Sequence, residues 1–242
     1  MPQPSPIIVA HRGLHSRYPE NSLAAMFAAW DAGITWCECD VHLTSDGIPI
    51  VIHDKTLDRT TTARGRVADF RASDLRDVRL LNRKGRPTSH PLPLLNELLR
   101  YCCPDRRLLV ETKPALGRRI EPIARAIYKK RGMLQSFHVD DMILACRATS
   151  NRCVAILADD HRNLPETFPG AVHLHFGCLT APIRGRKVGL WTVNAPADIR
   201  RVLGFDVQML ITDSPLQAQR LVRSAAASAR GRASPGSRKS AG

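Results

Sequence analysis

Eight short apolar runs, separated over most of the chain by segments of helical period, constrain this sequence more than any other feature. The runs are Ile7–His11, Trp36–Asp40, Leu108–Lys113, Leu134–Phe137, Val154–Leu157, Val172–His175, Val188–Val193 and Met209–Asp213. Short apolar runs bounded by turn residues read as buried strands. After the first, Leu23, Met26, Phe27 and Trp30 recur at helical spacing, with Asn21 or Ser22 available as N-cap and Gly33 as C-cap. Ile120, Ile123, Ala124 and Ile127 repeat the pattern after the third run. Strand and helix alternating in this way predict a parallel (β/α)8 barrel of the TIM type, with a doubly wound open sheet as the alternative. The length of 242 residues matches the roughly 250 of one such barrel.

One segment breaks the alternation. Val41–Thr44 continues the second run, Ser45-Asp46-Gly47 is a turn signal, and Ile48–His53 reads as a further strand. So short a link forces an antiparallel pairing, which makes Ile48–His53 a return strand outside the barrel count. Residues from about 55 to 106 then form an insertion holding one helix, Leu94–Cys102. If Asp46-Gly47 is a two-residue turn, Asp40 faces His53 across the hairpin.

Polar residues gather at the strand ends, where parallel barrels place their active sites. They are His11 and Arg12, Glu38 and Asp40, Glu111 and Lys113, and Asp213. Residues two apart on a strand share a face, so Glu38 and Asp40 point the same way, as do Glu111 and Lys113. Three carboxylates converging on one rim form a hard oxygen site suited to Mg²⁺ or Ca²⁺. His11 and His53 would flank it, with the chemistry to move protons. Alternation turns Cys37 and Cys39 away from the carboxylates, which argues against zinc. His173 and His175 share a strand face and are expected in the core or at the rim.

The formal net charge of +14 favours anionic partners: phosphorylated substrates, acidic membrane surfaces or nucleic acid. A solvated basic surface is the plain alternative, and no nucleic-acid motif accompanies the charge. Part of the excess lies in Ala225–Gly242, which carries Arg230, Arg232, Arg238 and Lys239 without apolar periodicity. This segment is expected to be a disordered tail after a single domain over residues 1–224, free to touch an anionic membrane weakly. Seven cysteines, an odd number, and no secretory signal predict a cytoplasmic protein. No run reaches the roughly 18 apolar residues of a spanning helix.

Several short motifs now fall into order. His11-Arg12-Gly13, Pro19-Glu20-Asn21-Ser22, Glu38-x-Asp40-Val41, Thr44-x-Asp46-Gly47 and His53-Asp54 together resemble the N-terminal signature of the glycerophosphodiester phosphodiesterase family. Thr60-Thr61-Thr62, Pro93-Leu94, Glu111-x-Lys113, Ser136-Phe137, Trp191-Thr192-Val193-Asn194 and Thr212-Asp213-x-Pro215 continue the resemblance to about Leu221. It implies an enzyme that hydrolyses glycerophosphodiesters to glycerol 3-phosphate and an alcohol. It further implies Glu38, Asp40 and Glu111 as metal ligands, His11 and His53 as the acid–base pair, and Arg12 and Lys113 as phosphate-holding cations. Glu20 and Asn21 would brace the first loop, and Trp191 would wall the glycerol. A lysophospholipase D acting on lipid substrates and a catalytically inactive, anion-binding barrel are the alternatives. The chain departs from the family at His138, where an acidic residue is usual. It departs again at Leu179–Lys187, too short for a full seventh barrel helix, and at Gly204–Gln208, about two residues longer than usual.

Overall fold

A computed structural model describes residues 5–150, 153–160, 162, 164–165, 167–179 and 185–232. The eight predicted runs form eight parallel strands: β1 (Ile7–Ala10), β2 (Trp36–Leu43), then, past the insertion strands β3 (Pro49–Val51), β4 (Arg79–Leu81) and β5 (Pro87–Pro91), β6 (Arg107–Thr112), β7 (Met133–Ser136), β8 (Val154–Ala158), β9 (Ala171–His175), β10 (Val188–Trp191) and β11 (Met209–Thr212). β1 pairs in parallel with both β2 and β11, so the sheet closes into a barrel and the open-sheet alternative falls away.

Alternation along each strand sorts side chains into two shells. Val9, Trp36, Leu109, Met209 and Ile211 fill the barrel interior. Their neighbours, such as Val110, Leu134, Ile156 and Leu190, face outward and belong to a larger core with helix residues Met26, Ile123, Ile127, Met142 and Ile199. Each such fully buried side chain contributes about 1.5–3 kcal/mol of transfer free energy. Cys37 and Cys39 lie in this outer core, away from the carboxylates beside them, and none of the seven cysteines is in a disulfide.

Helices α1 (Leu23–Asp31), α2 (Leu95–Arg100), α3 (Ile120–Lys129), α4 (Val139–Ala148), α5 (Pro196–Val202) and α6 (Pro215–Arg232) follow the predicted pattern, with instructive differences. Ser22, not Asn21, is the N-cap of α1: its hydroxyl accepts from the Ala25 N–H at 3.0 Å. α2 is shorter than its apolar run, because Leu94 is its extended N-cap residue and the helix stops before Cys102-Cys103-Pro104. Between β9 and β10 the described residues hold one 3-10 turn, Phe176–Cys178, in line with the short link. The crossover from β8 to β9 likewise shows no α-helix among its described residues. In the longer link after α5, Phe205 packs against the core and Val207 is buried within it.

α6 runs on to Arg232, so 225–232 are helical where a disordered tail was expected, and residues 233–242 lie outside the described residues. Ala and Arg are strong helix formers, and a helix already nucleated by docking extends readily through such a sequence. No helix among the described residues is long and apolar enough to cross a membrane.

The insertion makes a compact lobe beside β2. β3 pairs antiparallel to β2, β4 pairs with β5, and a separate apolar cluster of Ile50, Ile52, Leu57, Val67, Leu75, Val78, Leu80 and Leu92 holds the lobe together.

Candidate active site

The strand registers place the polar ends side by side. Asp40 is the Cα partner of Glu111 across β2 and β6, while Ala10 pairs with Cys37 and with Thr212. The residues that follow these pairs, His11, Glu38 and Asp213, therefore meet at the C-terminal rim. Glu38, Asp40 and Glu111 can each offer an oxygen, with all three within 4.8 Å of one another. All three residues are buried.

The loop after β1 closes over them. Arg12 takes φ +53°, a left-handed conformation, so that its N–H donates to Glu38 Oε2 at 3.0 Å. Its guanidinium lies 3.2 Å from Asp40 Oδ2 and 3.0 Å from Glu20 Oε1. Gly13 follows at φ +77°, where an added Cβ would sit 2.7 Å from the Ala25 carbonyl carbon, so the tight approach of this loop to α1 requires glycine. Asn21, at φ +58°, grips Asp40 twice: its Nδ2 donates to Oδ2 at 2.9 Å and its Oδ1 accepts from the Asp40 N–H at 3.2 Å. Lys113 Nζ bridges Asp40 Oδ1 at 2.9 Å and Glu111 Oε1 at 2.6 Å.

Charge is unevenly shared within this cluster. Burial opposes ionisation of Asp40, but Lys113 and Arg12 outweigh it and hold the carboxyl well below the usual range. Burial, then the nearby Asp40 and Glu111 carboxylates, push Glu38 far up. Burial and Asp40 push Glu111 up to about 7. Glu38 Oε1 is buried without a hydrogen-bond partner. An orphaned buried oxygen beside two crowded carboxylates is the donor pattern of a hard divalent cation. The residues fit such an ion, and the site contains no soft ligand.

Each histidine leans on its own carboxylate. His11 Nδ1 is 2.7 Å from Asp213 Oδ1, and its Nε2 is 3.9 Å from Glu38 Oε2. His53 Nδ1 is 2.7 Å from Asp54 Oδ1. Such contacts hold Nδ1 as the donor and leave Nε2 to the site. Burial lowers the His53 pKa, with Asp40 and Asp54 working against it. The route by which His53 arrives differs from the two-residue-turn register. Val41 pairs with Val51 and Thr44 donates its N–H to Ile48 O at 3.1 Å, so the link has three residues and Asp40 lies opposite Ile52. β3 ends at Val51, and the turn beyond it brings His53 to the cavity.

A cavity of about 220 Å³ collects His11, Arg12, Glu38, His53, Glu111, Lys113 and Trp191 from the predicted set. Asp40, Glu20 and Asn21 stand behind them. Trp191 forms a wall edge-on to Phe137 with centroids 5.7 Å apart, and its Nε1 donates to the His173 carbonyl at 3.1 Å. His138, in place of the usual acid, holds the Lys113 carbonyl through Nε2 at 3.0 Å.

Other parts escaped the sequence. Asp54 and Glu20 are joined by Arg59, whose Nε is 2.6 Å from Asp54 Oδ2 and whose Nη2 is 2.9 Å from Glu20 Oε1. His15 Nε2 shares Asp213 Oδ1 at 3.0 Å, and Asn194 Nδ2 donates to Asp213 Oδ2 at 2.6 Å. Gln135 lines the cavity while its Oε1 meets Nδ1 of the buried His173 at 2.6 Å. His-Asp adjacency at 53–54 was a visible signal for one dyad; the other pairings join residues far apart in sequence.

Comparison with known proteins shows the family. Residues 11–167 match the Glycerophosphoryl diester phosphodiesterase family. A glycerophosphodiester phosphodiesterase of Caldanaerobacter subterraneus subsp. tengcongensis is 28% identical over 241 residues, covering 90% of this chain and 98% of that one. Glycerophosphodiester phosphodiesterase 1 of Homo sapiens is 40% identical over 100 residues, 41% of this chain and 26% of that one. Among solved structures, a glycerophosphodiester phosphodiesterase from Parabacteroides distasonis superposes with a TM-score of 0.76 at 21% identity, covering 93% of this chain and 99% of that one. An Oleispira antarctica phosphodiesterase in complex with the product sn-glycerol-3-phosphate gives 0.73 at 21% identity, with 90% and 97% covered. The chain is a member of the glycerophosphoryl diester phosphodiesterase family, a family of phosphoric diester hydrolases.

Proposed function

We propose that this protein hydrolyses glycerophosphodiesters to glycerol 3-phosphate and an alcohol in a reaction that depends on Mg²⁺ or Ca²⁺. The observation that carries the proposal is the pairing of two carboxylate-backed histidines with one cavity lined by Glu38 and Glu111, with Asp40 close behind them. These three residues would hold the metal, which when bound polarises a phosphoryl oxygen and offsets developing negative charge.

The chain's own groups do the rest. Arg12 and Lys113 line the cavity as fixed cations, matched to the non-bridging oxygens of a phosphodiester. His11 and His53 face the same space; one takes the proton of the attacking oxygen and the other protonates the departing alkoxide. Asp213 and Asp54 hold each ring in one tautomer and stabilise its protonated form. Trp191 and Phe137 offer an apolar wall to the carbon skeleton. Glu20 and Asn21 act through the Arg12 loop. Seven cysteines, an odd number with no disulfide among them, are the basis for placing the protein in the cytoplasm. The basic residues beyond Ser224, outside the proposed 1–224 catalytic domain, would supply weak contact with an anionic membrane.

Exposure of Phe137 beside Trp191 at the cavity mouth favours a second substrate class, lysophospholipids cleaved in a lysophospholipase D manner. Glycerol 3-phosphate and lysophosphatidate release, measured on soluble diesters and lysophospholipids with and without chelator, tests both. Turnover restored only by added metal is expected. Full turnover in verified absence of metal refutes metal dependence, and no product from any diester leaves an anion-binding barrel.

A further inference from the structure

A second cavity, of about 520 Å³, adjoins the first and shares Lys113 with it. The end of β2 and its turn, the loop after β6 and the insertion lobe enclose it. Its lining carries Lys55, Arg66 and Arg119 in addition to Lys113 and His42, and no carboxylate.

The first three are exposed, and among the described residues none of them pairs with an acid; Arg119 donates to the Leu116 carbonyl at 3.4 Å. Elsewhere on the surface arginines do find acids, as Arg59 finds Asp54, Arg106 finds Asp31 and Arg125 finds Glu121. A concave wall of one sign focuses potential and draws anions. The cavity also falls within the size range of small-ligand sites. Lys113 directs its ammonium to Asp40 and Glu111, into the diester cavity, while the three uncommitted cations line the second cavity. A diester with an uncharged alcohol leaves them to solvent.

We infer that this cleft is a second anion subsite, which takes an additional phosphate carried by the substrate beyond the scissile diester. The inference rests on the proposed phosphodiesterase activity and narrows its substrate class to glycerophosphodiesters bearing a further phosphate. A soluble phosphate and a lipid-borne one share this chemistry; the small soluble molecule is favoured because the cleft is recessed and shares Lys113 with the diester cavity.

The test uses the full chain with Mg²⁺ at low salt, as wild type, as the combined Lys55→Ala, Arg66→Ala, Arg119→Ala variant, and as Arg119→Glu alone in case the combined variant fails to fold. Calorimetry compares propane-1,3-diol bisphosphate with the monophosphate. Kinetics compare a diester whose alcohol carries a terminal phosphate with one whose alcohol is neutral. The wild type should bind the bisphosphate about tenfold more tightly, and the combined variant should bring the two ligands within about twofold. Its kcat/KM should fall about tenfold for the phosphate-bearing diester and stay unchanged for the neutral one. If no diester is turned over but the binding preference exists and vanishes in the variant, the subsite stands and the hydrolytic activity falls. Neutral-diester turnover with no bisphosphate preference, or a preference the variants retain, overturns the subsite. Loss of retention on phosphatidylglycerol vesicles with bisphosphate binding intact overturns the soluble-ligand assignment.

Discussion

Replacing Asp213 by asparagine should disable His11 through its tautomer, and the structure shows why the new amide cannot evade this. Asn194 Oδ1 accepts from the Asp213 N–H at 2.8 Å and from Thr212 Oγ1 at 3.1 Å, which turns its Nδ2 toward Asp213 Oδ2 at 2.6 Å. In Asp213→Asn the amide oxygen must meet that donor, so the amide NH₂ faces His11 Nδ1, now 2.7 Å from Oδ1. His11 would have to accept at Nδ1 and carry its proton on Nε2, the wrong form for a base. The comparable change in the serine protease triad lowers kcat about 10⁴-fold, and acid–base groups generally contribute about 10²- to 10⁴-fold. A loss of about 10³-fold in kcat is therefore expected, with KM within about threefold. Glycerol 3-phosphate release under single-turnover conditions measures it, with circular dichroism to confirm the fold. Asn194→Ala removes the orienting donor, lets the amide rotate and should recover about tenfold of the loss in the double variant. Turnover near wild type in Asp213→Asn, or a double variant worse than the sum of its parts, would refute the tautomer argument.

Mg²⁺ or Ca²⁺ at about 100 times Kd should add about 2.7 kcal/mol to stability and raise Tm by about 5–10 °C, and Glu38→Gln or Glu111→Gln should abolish the shift. A melting curve indifferent to metal would count against the carboxylate site. Gly13→Ala should destabilise by about 1–3 kcal/mol and depress turnover, since φ +77° and the Ala25 backbone both oppose a Cβ. Urea unfolding checks this, and a neutral effect would mean the loop yields freely. Burial lowers the His173 pKa from 6.5 to about 4, so between those values the unfolded chain binds more protons than the folded one. Stability from this residue is complete above about pH 6.5 and lost as pH falls toward 4, by at most about 3 kcal/mol. His173→Gln should flatten the urea midpoint over that window, and an unchanged slope would remove His173 from the acid response.

Strand ends carry most of what the sequence makes legible. Glu38 with Asp40, and Glu111 with Lys113, announce themselves because alternation fixes their faces and parallel pairing fixes their level. Asp213 was visible as a rim residue but not as the partner of His11, since 202 positions separate them and only barrel closure brings β11 beside β1. Arg59 sits in a loop without periodicity, and nothing local distinguishes it from a solvated polar residue, while Asn194 stood in the Trp191–Asn194 motif with no role that the motif assigned. His53 shows how a right location can follow from a wrong register: the three-residue link shifts the hairpin by one, and the bend after β3 compensates. In α6, composition suggested disorder where a docked helix continues through an Ala-rich stretch.

The separate apolar cluster of the insertion divides the proposed catalytic residues between two cohesive bodies. His11, Arg12 and the carboxylates ride on the barrel, whereas His53, Asp54 and Arg59 ride on a lobe cemented by residues such as Leu57, Leu80 and Leu92. Units that pack separately open with separate free energies. On warming, the lobe can loosen while the barrel stays closed, and the Glu20–Arg59–Asp54 link is the strap it would strain first. Heat inactivation would then run ahead of melting and be reversible on cooling. Protease cuts would appear first between residues 55 and 92, and the fragments would stay associated with an intact but idle barrel.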